Sequence, residues 1–160
     1  RVTKNGRIGV IGTTSTISSC EYDRELNKIG KNLKLFKKSC PLFVPLVENK
    51  MLNSFITEQV AEEYLKAFRK TKIDTLILGC THYPLLKKVI GSILNGVSLV
   101  DSAMSVSQKA SILLNQSGLN IDSRRKKGAI RCFVSDDVKG FHGSASIFLK
   151  EKIRVSKVVL

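Results

Sequence analysis

The sequence has no long apolar run, and this absence limits the class of protein. None of its apolar segments approaches the roughly 18 consecutive residues that a membrane-spanning helix needs. The first residues also lack the apolar core of a secretory signal, so we expect a cytoplasmic protein without membrane contact. Low-complexity tracts are absent as well, and the hydrophobic content of 42% and charged content of 25% are those of an ordinary folded chain.

Cysteine and histidine are too few and too scattered to predict a metal site or a disulfide scaffold. The four cysteines, Cys20, Cys40, Cys80 and Cys132, form no Cys-x-x-Cys pair, and the chain has only two histidines. Zinc sites and disulfide frameworks use several such residues at short, regular spacings. We therefore expect free thiols and no bound metal.

Acidic residues are also scarce, which leaves the chain strongly basic. Lysine and arginine number 27 against 13 acidic residues, for a net charge of +14. Such a charge raises the possibility of nucleic acid or another anionic partner. Only residues 34–38 and 124–127 form basic clusters, and neither carries the repeated aromatic side chains that stack on nucleobases. We expect solvated helix faces rather than nucleic-acid binding, although a degenerate α/β binding protein with a basic nucleic-acid- or partner-binding surface stays the alternative.

The alternation of apolar and polar segments predicts an α/β fold. We predict strands over 8–12, 33–36, 74–78, 97–100, 130–135 and 155–159, and helices over 21–31, 53–68, 85–94, 105–116 and 138–150. Alternating strands and helices imply parallel pairing with right-handed crossovers. Prolines at 41 and 45 predict at best an irregular edge over 43–47, and the polar, basic stretch 118–128 predicts an exposed connection.

Chemistry is expected directly after the predicted strand 74–78, where Gly79, Cys80, Thr81 and His82 follow one another. Ligands of open α/β sheets bind beyond the carboxyl ends of the strands, and Gly79 allows a sharp turn and close approach of the backbone. The cysteine thiol has a reference pKa of about 8.5, so modest stabilisation by a following helix end makes a thiolate accessible near neutral pH. The alternative is an inert buried cysteine, since cysteine is among the most buried residue types.

Four segments of the chain resemble bacterial glutamate racemases of the aspartate/glutamate racemase superfamily, in the same order. Gly79–Leu86 (GCTHYPLL) resembles their second cysteine motif, Ile8–Ile17 their strand and Gly-Thr-x-x-Thr loop, Cys40–Glu48 their Cys-Pro segment, and Phe133–Asp137 a late strand. The resemblance implies a parallel-sheet three-layer sandwich for residues 1–103. It also implies that residues 104–160 are the C-terminal segment of a second, incomplete α/β domain.

The chain departs from this family near its beginning. An Asp-Ser-Gly loop and a first cysteine in an Asn-Thr-containing loop, both found early in the family, have no counterpart here. We therefore expect the C-terminal portion of such a racemase, without the family's N-terminal segment. Since the partner thiol would then lie elsewhere, we expect this chain alone to be weakly active or inactive.

The resemblance implies an isomerase that converts L-glutamate to D-glutamate without a cofactor, by proton transfer between two thiols. In this family the product supplies peptidoglycan synthesis for the cell wall. Aspartate racemases share the fold, and residues 82–84 (His-Tyr-Pro) resemble the glutamate enzymes. Glutamate is therefore the expected small-molecule substrate, and a homodimer is the expected assembly.

The same resemblance assigns roles to individual residues. It implies catalytic roles for Cys80, His82 and Glu48, and substrate binding by Thr81, His82, Thr13 and Thr16. Simpler readings stay open, because threonines in a strand-to-helix turn commonly serve turn chemistry. Glu48 could equally be a surface glutamate, and Asp101 is best explained as a helix cap.

Overall fold

The computed structural model describes residues 2–30, 32–119, 129–149 and 153–159. The chain forms two compact units, Arg1–Leu113 and Leu114–Leu160. Our division after residue 103, which follows the family's chain path, stays a prediction. Most of the predicted connection 118–128 lies outside the described residues. Within them, no helix is long and apolar enough to cross a membrane.

The first unit is built on a four-stranded parallel sheet with the order β2-β1-β3-β4. Its elements are β1 (Arg7–Gly12), α1 (Thr14–Ser18), α2 (Glu21–Ile29), β2 (Lys34–Ser39), α3 (Phe43–Glu48), α4 (Phe55–Arg69), β3 (Thr75–Leu78), a 3₁₀ turn (Tyr83–Leu86), α5 (Lys87–Ile93), β4 (Ser98–Asp101) and α6 (Ser102–Gln116), which ends beyond the unit boundary. The second unit holds β5 (Arg131–Val134), α7 (Val138–Leu149) and β6 (Arg154–Lys157), with β5 and β6 paired in parallel. The predicted α/β class is confirmed.

Helices cover both faces of the main sheet, as the predicted three-layer sandwich requires. Successive residues of a strand point to opposite faces of the sheet. Gly9 and Gly12 of β1, three residues apart, therefore face opposite sides. A Cβ atom on Gly12 would lie 2.9 Å from the Thr16 side chain of α1, and one on Gly9 would lie 3.1 Å from the Phe68 ring of α4. The sheet is therefore enclosed between α1 on one face and α4 on the other.

The main core lies on the α4 side of the sheet. It consists of buried side chains from β1, β3, α3, α4, α5 and the 3₁₀ turn, among them Ile11, Leu78, Phe43, Leu65, Ile90 and Tyr83. The Phe43 ring meets Tyr64 and Tyr83 edge-on, with centroids 5.3 and 5.2 Å away. This aromatic group ties α3, α4 and the 3₁₀ turn together, because such pairs add about 0.5–1.5 kcal/mol each beyond their buried area.

The prediction of an irregular edge over 43–47 is wrong, since these residues belong to α3. Pro45 is the third residue of that helix, where the backbone N–H has no partner within the helix, so the proline removes no hydrogen bond. Phe43, Leu46 and Val47 are buried, and their spacing of three and four places them on one helix face. The start of α4 also differs: Ser54, rather than Asn53, caps this helix by accepting a hydrogen bond from the Thr57 N–H.

Asp74 ties the N-terminal segment to the start of β3. Its carboxylate accepts hydrogen bonds from the Thr3 hydroxyl and from the N–H groups of Lys4 and Asn5, all at 2.7 Å, and from the Thr75 hydroxyl at 2.9 Å. Burial acts to raise the pKa of Asp74, but these hydrogen bonds outweigh it and lower the pKa from 3.8 to about 2. The charged form is thus favoured in the folded protein.

We expect Asp74→Asn to lower the free energy of unfolding by about 1–2 kcal/mol at neutral pH, allowing for solvent screening of a partly exposed group. A lowered pKa in the folded state stabilises the fold above the ordinary pKa of 3.8 and ceases to do so as the pH falls towards about 2. The gap between wild type and variant should therefore close over that interval. Urea denaturation at a series of pH values measures it, with Asp136→Ala, whose side chain is 93% exposed, as the control. A gap that does not change with pH would contradict this account.

Candidate active site

Cys80 lies at the switch point of the main sheet, where the order in which the strands are added reverses. The chain passes from β1 to β2 on one side and later returns to β3 on the other side of β1. In parallel sheets this switch point leaves a crevice at the carboxyl ends of the two central strands. Thr13 follows β1, Gly79 and Cys80 follow β3, and the Gly79 N–H donates to the Ile11 carbonyl at 2.7 Å. The structure therefore confirms the predicted position of Cys80 at the end of a strand.

Three predicted site residues form a connected group. His82 Nδ1 lies 3.8 Å from the Cys80 Sγ, and His82 Nε2 lies 3.3 Å from a Glu48 carboxylate oxygen. Cys80 is partly exposed, and the side chains of His82 and Glu48 are 27% and 56% exposed. Thr81 adds its hydroxyl at 3.5 Å from His82 Nδ1. The imidazole thus stands between a thiol and a carboxylate, within reach of solvent.

This arrangement is suited to moving a proton at the sulfur. A carboxylate accepts only, so Glu48 selects the tautomer or charge state of His82 that carries a proton on Nε2. In the neutral imidazole Nδ1 is then an acceptor facing the thiol, and in the charged form it is a donor facing the thiolate. His82 can therefore share a proton with Cys80, although the distance of 3.8 Å makes it a loose contact in this conformation.

The loop is fixed by Tyr83 rather than by a helix end. Tyr83 is fully buried, and its hydroxyl donates to the Cys40 carbonyl at 2.8 Å. The helix predicted over 85–94 begins as an α-helix only at Lys87, after the 3₁₀ turn. The helix end that follows Cys80 is thus the start of a 3₁₀ turn, and the expected stabilisation of a Cys80 thiolate by that end stays a prediction.

Thr13 and Thr16 lie at the carboxyl end of β1 and bond to each other. Their hydroxyl oxygens are 2.9 Å apart, and the Thr13 hydroxyl caps α1 by accepting from the Thr16 N–H at 3.2 Å. Turn chemistry is therefore present, as the simpler interpretation expected. The strand pairing puts this turn on the same edge of the sheet as Cys80, so a substrate role is compatible with it and stays a prediction.

Tyr22, which the sequence pattern does not predict as a site residue, lies against the Cys80 loop. A Cβ atom on Gly79 would be 3.1 Å from the Tyr22 ring and 3.2 Å from its hydroxyl. Burial raises the pKa of Tyr22, and a negative charge on Cys80 raises it further. The available signal was weak: Tyr22 is the aromatic residue of the mostly polar segment 21–31.

The remaining cysteines have different surroundings. Burial raises the pKa of the Cys40 thiol to about 12, so this residue stays protonated in the core. Cys20 is exposed, 4.0 Å from the Lys37 ammonium, and Cys132 belongs to the second unit. Asp101 caps α6 by accepting from the Met104 N–H at 2.8 Å and pairs with Lys87, as the cap interpretation predicted. Among the described residues, no group of three or more His, Cys, Asp or Glu could hold a metal ion.

Known proteins resemble this chain over most of its length. Residues 2–110 match the family described as Asp/Glu/Hydantoin racemase. The glutamate racemase of Chlorobaculum tepidum is 45% identical over 148 residues, which make up 92% of this chain and 54% of the relative. That of Sulfurihydrogenibium sp. is 38% identical over 160 residues, or 100% of this chain and 58% of the relative. The chain thus spans little more than half the length of either relative.

Solved structures of glutamate racemases are also similar to this chain. Glutamate racemase isoform RacE1 from Bacillus anthracis superposes with a TM-score of 0.90 at 36% identity, covering 99% of this chain and 59% of that one. Glutamate racemase from Francisella tularensis, solved in complex with D-glutamate, superposes with a TM-score of 0.87 at 33% identity, covering 97% and 57%. Both the sequence and the fold of this chain are therefore similar to part of these enzymes.

Proposed function

The chain belongs to the Asp/Glu/Hydantoin racemase family, and from this premise we propose that it forms part of a glutamate racemase in which Cys80 acts on one face of the substrate. The observation that carries the proposal is the position of the Cys80 thiol, partly exposed at the switch point of the sheet and 3.8 Å from His82. Thiols buried for structural reasons are sealed in apolar surroundings, as Cys40 is. Cys80 instead has an ionisable partner and access to solvent.

Racemisation needs a proton removed from one face of the α-carbon and another delivered to the opposite face. In the proposed reaction Cys80 acts on one face of the α-carbon, either as a thiolate that removes a proton or as a thiol that donates one. A second acid/base group acts on the other face. The electron pair left by the departing proton is held on the α-carbon and its carboxylate until the second proton arrives. His82, whose Nε2 faces Glu48, exchanges a proton with the Cys80 sulfur. The proposed reaction uses no cofactor.

The proposed substrate contacts come from both central strands. Thr81 lies beside Cys80, while Thr13 and Thr16 occupy the turn after β1 on the same sheet edge. Their hydroxyls and the N–H groups of the turns are suitable partners for the carboxylates and the ammonium group of an amino acid. Glutamate as the substrate is supported by the names of the relatives and by the D-glutamate complex of the Francisella tularensis enzyme.

The proposed cellular role, location and assembly follow from family membership. A glutamate racemase supplies D-glutamate for peptidoglycan, and we propose a cytoplasmic homodimer for the protein that contains this chain. The nucleic-acid alternative rests on the net charge of +14, and several basic side chains of the described residues pair with nearby carboxylates. Examples are Arg24 with Glu21, Lys28 with Glu25, and Arg69 with Glu62.

In this proposal neither Cys40 nor Cys20 is the second acid/base group. Cys40 is buried and protonated, and Cys20 is exposed at the start of α2. We therefore expect the purified 160-residue chain to be weakly active or inactive in converting L-glutamate to D-glutamate. A coupled assay for D-glutamate tests this, and turnover at the level of a complete glutamate racemase would contradict it.

A complemented protein provides the matching positive test. In this chimera, the part of the Chlorobaculum tepidum relative that the match leaves uncovered is joined to the present chain. Because proton exchange at the α-carbon needs both groups in place, we expect the chimera to racemise glutamate and to exchange its α-proton with solvent. A well-folded chimera without exchange would count against the proposed function.

A further inference from the structure

We propose that Tyr83 is a positioning residue: its buried phenol holds α3 against the 3₁₀ turn at the separation that brings Glu48 to His82. The inference rests on the proposed function of Cys80 and extends it to a side chain in the core. Tyr83 directly follows His82 in the chain, whereas Glu48 is the last residue of α3. The two partners of the imidazole–carboxylate contact thus belong to separate elements, which something must hold together.

The contact between His82 and Glu48 is too weak to set this separation by itself. His82 Nε2 lies 3.3 Å from the Glu48 carboxylate, and the two side chains are 27% and 56% exposed. Pairs that solvent reaches to this extent contribute little, because water and salt screen them and both side chains lose freedom. The backbone segments that carry the pair must therefore be fixed by other contacts.

The Tyr83 hydroxyl supplies one such contact through the Cys40 carbonyl. That carbonyl accepts the Tyr83 O–H at 2.8 Å and, at 3.2 Å, the N–H of Phe43, where α3 begins. The Cys40 N–H donates to the Gly12 carbonyl at 2.8 Å, which fixes this segment to the end of β1. Because the site is buried, losing the phenol would leave a buried carbonyl with one partner fewer. The 3₁₀ turn and the start of α3 therefore share one anchor.

The Tyr83 ring supplies the second contact. It is fully buried and meets the Phe43 ring edge-on, with centroids 5.2 Å apart and planes at 90°. Since α3 has only six residues and ends at Glu48, its position depends on packing at Phe43 rather than on helix propensity. The Tyr83 N–H also donates to the Cys80 carbonyl at 3.2 Å, which closes the turn that presents His82.

Tyr83 acts through position and not as an acid or base. Its hydroxyl is buried and donates to a carbonyl. Burial raises the pKa of the Tyr83 phenol, so this group keeps its proton at physiological pH and remains a hydrogen-bond donor. The anchor is therefore unaffected by proton movements between His82 and Cys80.

The test is the protonation pattern of the His82 ring in the ¹⁵N-labelled 160-residue chain. At alkaline pH, where histidine rings are neutral, the NMR shifts of the two ring nitrogens give the ratio of the Nε2–H to the Nδ1–H tautomer. A carboxylate at Nε2 favours a proton there, so Glu48→Ala should lower this ratio about threefold. We expect Tyr83→Phe to lower it about twofold or more, and to cause no further change in the Glu48→Ala background.

Two controls accompany this measurement. His142 is the other histidine of the chain and lies in the second unit, so its tautomer ratio should stay the same in every variant. Tyr22→Phe is the matched substitution, since it removes the same atom from a tyrosine of α2 that packs against Gly79. We expect Tyr22→Phe to leave the His82 ratio as it is in the unmodified chain.

Equal His82 ratios in Tyr83→Phe and Tyr22→Phe would overturn the proposal and leave Tyr83 with a packing role alone. An unchanged ratio in Glu48→Ala would also overturn it, because the contact to be positioned would then have no effect on the imidazole. A full additional effect of Tyr83→Phe in the Glu48→Ala background would do the same, since Tyr83 would then act by another route.

Should Tyr83→Phe fail to fold, Phe43→Leu decides. This variant keeps the Tyr83 hydroxyl and removes the edge-on ring contact, so we expect it to lower the His82 ratio as well. An unchanged ratio would equally overturn the proposal. Racemase activity enters none of these readouts, so this failure is distinct from failure of the proposed function, which a fully active Cys80→Ser chimera would reveal.

Discussion

Cys80→Ser in the complemented protein is expected to lower the rate of glutamate racemisation by about 10²–10⁴-fold, the usual contribution of a positioned acid/base group. Serine keeps nearly the same shape, but its hydroxyl ionises far above neutral pH and cannot serve as the base. In the proposed reaction His82 acts through the Cys80 sulfur, 3.8 Å from its Nδ1, so it cannot compensate for loss of the thiol. The rate of D-glutamate formation measures the effect.

The control for this variant is Cys20→Ser, since Cys20 is exposed and lies at the start of α2. We expect its turnover to stay within about twofold of the unmodified chimera. Exchange of the substrate α-proton in D₂O provides a second readout, because it reports proton removal at either face even when no net racemisation occurs. A Cys80→Ser chimera that still exchanges and racemises at the original rate would remove Cys80 from the mechanism.

The position of Cys80 could be predicted because two short-range signals coincide there. An apolar, β-branched run predicts a buried strand, and a glycine followed by polar residues predicts its end. In a parallel sheet such an end is an expected ligand site. The pairing of β1 with both β2 and β3 then supplied what the sequence could not: the Thr13 turn and the Cys80 loop lie on the same edge at the switch point.

The errors arise where tertiary contacts outweigh local pattern. Pro45 argued against regular structure, yet α3 forms because the proline falls in its first turn and because Phe43 meets Tyr64 and Tyr83. The loop after Cys80 was expected to lead directly into an α-helix, whereas the burial of Tyr83 draws it first into a 3₁₀ turn. In both segments the deciding partner is distant in sequence, so no local window contains it.

Tyr22 was missed for the same reason. Its segment is polar and has the spacing of a surface helix, and nothing near it in sequence points to Cys80, which is 58 positions further along the chain. The connection exists only because α2 packs where β3 ends. Gly79 was interpreted as a turn residue, but the positive-φ glycines of the described chain are Gly6, Gly96 and Gly118. Glycine is therefore required at position 79 because Ile11 and Tyr22 leave no room for a side chain, and not because the backbone is left-handed.

Gly79→Ala is expected to lower the free energy of unfolding by about 3 kcal/mol, because an added Cβ meets atoms that cannot easily give way. The atom would lie 2.8 Å from the Ile11 carbonyl oxygen and 3.1 Å from the Tyr22 ring. Relief requires β1 and β3 to separate, which stretches the hydrogen bond from the Gly79 N–H to the Ile11 carbonyl, now 2.7 Å long. Urea denaturation of the 160-residue chain measures the loss.

Gly91→Ala is the matched control, since it makes the same chemical change in the first unit. Gly91 lies within α5, and the nearest atom that its Cβ would meet is a Leu99 methyl carbon at 4.0 Å. Alanine is the better helix former, so we expect this variant to be about 0.5–1 kcal/mol more stable than the unmodified chain. If Gly79→Ala proves as stable as Gly91→Ala, the space beside Cys80 is not closed by Ile11 and Tyr22.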